Sequence, residues 1–211
     1  MSLIELMTSC MISSSLVLSM SQSSIQIYQA FEKQQSMSLL QAEGLQALQM
    51  MGQAIHGAQP TKSTQGFRLM AKDSASMSNT QAGEFQIRKG ASSLDGSDAF
   101  YIRHDSKEKP YQAFFVQQQG YGNQRDGALY LQTKNKKGAL QNDALIGHVQ
   151  SLQIQVGITE LGQMKWHEPF MIQERASKKH PHWQEVKAIK IILKLQKGRQ
   201  QLDLQKIYAL R

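Results

Sequence analysis

Between Leu6 and Phe31 the 211-residue chain contains no Asp, Glu, Lys, Arg or His. Glycine and proline are also absent until Gly44, so no helix-breaking residue interrupts the first forty-three positions. The single cysteine, Cys10, excludes an intramolecular disulfide, and any folded region must hold together by packing. Four prolines and 15 glycines are too few for a collagen-like or disordered chain. Motifs of common catalysts are missing too: there is no phosphate-binding glycine loop, nucleophile elbow or redox cysteine pair. Gly120-Tyr121-Gly122 lacks the strand-to-helix context of a dinucleotide fingerprint. His180-Pro181-His182 is the one close histidine pair, and with no acidic or cysteine ligand beside it in sequence it reads as a surface loop. The expectation is a chain without catalysis, cofactor or metal.

What the sequence does have is a long apolar beginning. The 26 uncharged residues exceed the ~20 that a helix needs to cross a bilayer. Eight serines (Ser9, Ser13, Ser14, Ser15, Ser19, Ser21, Ser23 and Ser24) dilute Leu6, Met11, Ile12, Leu16, Val17, Leu18 and Met20. Glu5 stands at the mouth of this run, where an acid is costly in lipid and reads by default as functional. A secretory signal peptide is one rival, although a basic n-region and a clean Ala-x-Ala-like site are lacking. A buried core helix is the other, favoured by the serines and glutamines.

After Phe31 the helix turns polar but keeps its period. Met37, Leu40, Gly44, Leu48, Met51 and Ile55 recur at three- and four-residue steps, predicting a stripe packed on something apolar. A helix from Leu3 to Ile55 would be roughly 80 Å long at ~1.5 Å per residue. Pro60 prevents its continuation.

Residues 61–82 read as an extended loop, and from Gly83 the texture becomes β. Runs at 84–88, 99–103, 113–116 and 128–131 are separated by turn-like clusters, and Leu152, Ile154 and Val156 alternate with glutamines. Ile189, Ile191, Leu193 and Leu195 line one face of a further strand, with Lys190, Ile192 and Lys194 on the other. A last strand spans 201–210. Successive strands with few helices between them predict an α+β fold: a long N-terminal helical spine on an antiparallel β head, arranged in two sheets. Three regions follow: 1–31 for the membrane or filament core, 32–58 for the amphipathic half of the helix, and 59–211 for the head.

The formal charge of +8 is uneven: from Arg175 onward there are ten basic and two acidic residues. Lys178, Lys179, Lys190 and Lys194 form a candidate basic face for polyanions, against the plainer reading of a solvated strand surface. Aromatic interleaving is thin apart from Trp183, so base stacking on single-stranded nucleic acid is not indicated.

The opening Leu3-Ile4-Glu5-Leu6-Met7, leading into an uninterrupted apolar helix, resembles the mature amino terminus of type IV pilins. Gln26-Ile27-Tyr28, Gln41 to Leu48, Met51 to Ala58, and Trp183 to Ile191 near the carboxyl end are similar to segments of PilW-type minor pilins. Residues 60–145 add almost nothing to the likeness. The resemblance implies a chain already cut by a prepilin peptidase, with Met1 in the place of an N-methylated terminal phenylalanine and Glu5 on the family's glutamate. It implies a pilin-like single-pass protein of the bacterial inner membrane, its head in the periplasm, that primes pilus assembly and reaches the filament tip. Expected partners are other minor pilins, the major pilin, a tip adhesin and the inner-membrane assembly platform. A J-type pseudopilin of a type II secretion system is the alternative, as is a tip subunit contributing to DNA uptake or adhesion.

Overall fold

The computed structural model describes residues 2–57, 85–89, 97–103, 111–119, 126–134, 139–160, 162–169, 186–198 and 200–210. The predicted loop at 61–82, the first residue Met1 and the pair Lys178-Lys179 lie outside them.

One helix, α1 (Leu3–Gly57, 55 residues), forms without interruption, as the absence of glycine and proline before Gly44 allows. The chain divides into two compact units, Met1–Ala42 and Glu43–Arg211, so α1 contributes to both.

The second unit carries eight antiparallel strands: β1 (Phe85–Lys89), β2 (Asp98–Arg103), β3 (Tyr111–Gln119), β4 (Asp126–Lys134), β5 (Leu140–Glu160), β6 (Gln163–His167), β7 (Val186–Lys197) and β8 (Gln200–Ala209). Hydrogen bonding joins them in the order β1-β2-β3-β4-β5-β7-β8, with β6 also paired to β5. The α+β class and the antiparallel head are therefore as expected. A long N-terminal helix whose carboxyl end packs on an antiparallel sheet is pilin-like in outline.

The 21-residue β5 is the element that links the two wings. Its first half pairs with β4 from Leu140 to Val149. Its second half pairs with β7 on one edge and, from Val156 to Glu160, with β6 on the other. Between the β4 and β6 partners the β5 amides need acceptors, because a buried N–H without one is costly. Ser97 and the first residue of β2 supply them: Leu152 donates to Ser97 Oγ at 3.2 Å and Ile154 donates to Asp98 Oδ2 at 2.8 Å. Ser97 is fully buried for this purpose. Extra residues in β5 shift its register against β4 and β7, and His148 takes a left-handed φ of 59° at one such irregularity.

In the β5–β7–β8 wing one face is dry. Leu152, Ile154, Val156, Ile189, Ile191, Leu193, Leu195 and Tyr208 are all buried there. The second unit's stretch of α1 presents Gly44, Leu48, Met51, Gly52 and Ile55 as its buried stripe, in agreement with the sequence period. Two glycines set the close approach of helix and strand. A Cβ on Gly44 would collide with the Leu204 and Leu195 methyls, and one on Gly52 would collide with the Tyr208 ring. Tyr208 also donates its hydroxyl to the Leu48 carbonyl. The β2–β3–β4 wing differs, being buried on both faces. Phe100 stacks on its cross-strand partner Phe114 at 4.7 Å, while Tyr101 and Phe115 on the opposite face are also buried.

Candidate functional site: the exposed helix and the basic strand face

Residues 2–35 of α1 are exposed throughout, including Leu3, Ile4, Leu6, Met11, Leu16, Leu18, Met20 and Phe31. Apolar side chains packed in a core helix would be buried, so the core-helix reading fails for this stretch. The helix is long and apolar enough to cross a membrane.

Its start is closed by a reciprocal cap. The Ser2 amide donates to Glu5 Oε2 at 2.9 Å, and the Glu5 amide donates to Ser2 Oγ at 3.3 Å. This is the capping-box arrangement, in which serine and a glutamate three residues on satisfy each other's amides. The carboxylate also lies at the positive end of the helix dipole. Sequence reasoning singled out Glu5 and passed over Ser2, although the Ser-x-x-Glu spacing of residues 2–5 is the signal that finds it.

Five of the eight serines that dilute the hydrophobic run, with Thr8, are turned back onto the helix. Thr8 Oγ1 donates to the Ile4 carbonyl at 3.0 Å, and Ser14, Ser15 and Ser19 donate to carbonyls three residues earlier at 2.9–3.0 Å. Ser23 and Ser24 reach four residues back at 2.9 Å. A hydroxyl whose proton is already used by its own helix carries a much smaller desolvation penalty into lipid. For these five serines the cost of entering lipid is therefore reduced.

The spacing of charges fits a bilayer. From Glu5 to Glu32, 27 residues at ~1.5 Å give about 40 Å, close to the ~40–45 Å of a bilayer with its headgroups. Tyr28 and Phe31 precede Glu32 and Lys33, placing aromatic rings next to the first charges, as at a membrane–water interface. An upright helix thus puts Glu5 and Glu32 in opposite headgroup layers.

The structure gives two of the four basic-face lysines distinct surroundings on β7. Lys190 Nζ sits 4.8 Å from the Trp166 ring centroid, a cation–π contact. Gly157 makes room for that ring: a Cβ there would come within 2.6 Å of Met164 Sδ and 3.0 Å of the Trp166 ring. Lys194 is half-buried and lies directly opposite Asp203 of β8 in the strand register. Lys190 therefore has an aromatic neighbour on the sheet, and Lys194 an acidic residue beside it in register. Among the described residues, no three His, Cys, Asp or Glu side chains come together as a metal site.

Burial raises the Tyr208 phenol well above its ordinary pKa of 10.0, so the hydroxyl stays protonated and holds the Leu48 carbonyl. The sequence treated Tyr208 as an ordinary strand residue; its role emerges only from the helix it touches.

No family model matches the chain, and no curated protein or solved structure matches it.

Proposed function

We propose that this chain is a membrane-anchored subunit of a type IV pilus-like filament, a PilW-type minor pilin that primes assembly and sits at or near the tip. The observation that carries the reading is the continuity of α1. One half is exposed, apolar and headed by Glu5, while the other is docked on a β head through Leu48, Met51 and Ile55. A helix of this length has no use as a core element of so small a head, and a membrane anchor that becomes a filament spine accounts for it.

Glu5 is the assembly residue in this reading. A carboxylate drawn into a helix bundle without a partner costs several kcal/mol, whereas one paired with a neighbouring subunit's terminal ammonium offsets much of that cost. The same pairing fixes axial register, because a slipped subunit leaves both ions unmatched. In the free chain the carboxylate is held by the Ser2 amide, so assembly exchanges one partner for another.

The test is affinity purification of the membrane-extracted full chain, with mass spectrometry of what accompanies it. Recovery of other minor pilins, the major pilin and the assembly platform is expected. Recovery of secretion-system pseudopilins alone would move the assignment to a J-type pseudopilin. Recovery of no filament subunit contradicts the proposal.

A further inference from the structure

Along the exposed half of α1 one side is polar at a strict spacing. Ser15, Ser19, Gln22, Gln26, Gln29 and Lys33 recur at alternating steps of four and three residues, and all six are exposed. This is a heptad seam with a 3.5-residue repeat, occupied by polar groups where a water-soluble coiled coil has leucine or valine. The Ser15 and Ser19 protons are committed to the Ile12 and Leu16 carbonyls. The side-chain amides of Gln22, Gln26 and Gln29 have no hydrogen bond to any described residue. In water such amides are ordinary surface groups. Within a bilayer or at its inner boundary an amide without a partner is costly, and three of them aligned on one side specify where a partner must lie.

We propose that the occupant of this side is a second copy of the same chain, packed parallel along Ser15–Lys33 in the membrane. Two observations favour a copy over an unrelated helix. A glutamine amide both donates and accepts, so when identical layers meet in register each Gln is satisfied by its own counterpart. Single-pass chains of one sequence also insert with one orientation, and parallel pairing then brings like residue to like. The serines provide thin layers that let the backbones approach, and their oxygens retain acceptor capacity toward a facing amide. Lys33 closes the seam with Glu32 adjacent, so each lysine can face its partner's acid across the pair. The inference rests on the membrane-anchored reading of α1 and adds a preassembled pair to it.

The experiment uses the full chain reconstituted in phosphatidylethanolamine–phosphatidylglycerol vesicles. Cys10 lies on the far side of the helix from the seam and is removed by Cys10→Ser. In that background single cysteines are introduced as Gln22→Cys, Gln26→Cys, Ser24→Cys and Tyr28→Cys. Disulfide-linked dimers should form at 22 and 26 and be several-fold rarer at 24 and 28. In parallel, the triple variant Gln22→Leu/Gln26→Leu/Gln29→Leu should insert at least as fully as the wild type. It should weaken dimer affinity, read by energy transfer on dilution with lipid, by roughly tenfold, since interhelical hydrogen bonds in membranes are individually modest. Wild-type chains that insert but stay monomeric, or cross-link equally at all four positions, overturn the pairing while leaving the anchor reading intact. Failure of the wild type to insert overturns the anchor and the pairing together.

Discussion

Ser2 and Glu5 hold each other: each backbone amide donates to the other's side-chain oxygen, at 2.9 and 3.3 Å. The pair separates two roles for Glu5 that sequence alone merges, namely closing the helix and carrying charge. Glutamine can replace glutamate in a capping box, so Glu5→Gln keeps the cap and loses the charge. Ser2→Ala keeps the charge and weakens the cap, at about 0.5–2 kcal/mol of local helix stability. Faster amide exchange at residues 3–6 is expected for Ser2→Ala and little change for Glu5→Gln. Under the proposed assembly role, co-purification with filament subunits should show the reverse order, with Glu5→Gln and Glu5→Ala poorly recruited and Ser2→Ala retained. Equal recruitment of all three variants would show that head contacts carry assembly.

The docked half of α1 depends on Gly52. A methyl group there meets the Tyr208 ring, so Gly52→Ala should destabilise the head by about 1–3 kcal/mol, as overpacked sites do. Tyr208→Phe keeps the ring and loses the bond to the Leu48 carbonyl, for about 0.5–1.5 kcal/mol. Denaturant midpoints of the two variants should rank in that order, and a Gly52→Ala protein as stable as the wild type would contradict the close approach.

Tyr208 also gives the head an alkaline limit. Its folded pKa is raised above the ordinary 10.0 by burial, so the neutral phenol is favoured in the folded state. That contribution to stability is complete below pH 10 and is lost as pH rises through the interval up to the folded pKa, because the unfolded chain ionises first. Tyr208→Phe should flatten this part of the stability–pH curve. An unchanged alkaline slope would assign it to other groups.

The basic strand face yields a further expectation. Lys190→Gln removes the cation over Trp166, worth about 0.5–2 kcal/mol at a half-buried site, and should alter Trp166 fluorescence in a Trp183→Phe background. Replacing Lys178, Lys179, Lys190 and Lys194 together with glutamine should leave the head folded. Any DNA binding at low salt should then weaken equally for all sequences, with a shallower salt dependence. Absence of DNA binding by the wild-type protein at low salt would remove nucleic acid from the list of ligands.

Legibility in the sequence followed regularity. The α1 stripe and the dry face of β7 were readable because 3.6- and 2-residue periods run unbroken through Leu48, Met51 and Ile55 and through Ile189, Ile191, Leu193 and Leu195. The length of β5 was not, since Gly147, His148 and the register shifts around them imitate a turn. The five residues of β6 carry only Met164 and Trp166 as large apolar groups, too few for an alternating signal. Alternation also misleads in β2 and β3, where Phe100 and Tyr101, neighbours on opposite faces, are both buried. At the candidate site, Glu5 stood out by charge, while the back-bonded serines, the ring beside Lys190 and the cross-strand position of Asp203 opposite Lys194 depend on geometry that no spacing shows.

The central claim is that α1 anchors an independently folded head in a membrane. Its most direct measurement is alkaline carbonate extraction of cell membranes containing either the full chain or a chain lacking residues 1–28. The full chain should remain in the membrane pellet, and the truncated chain should be soluble with the same cooperative β-sheet unfolding transition, because residues 2–28 are all exposed. A full chain released by carbonate, or a truncated chain that cannot fold, would contradict it.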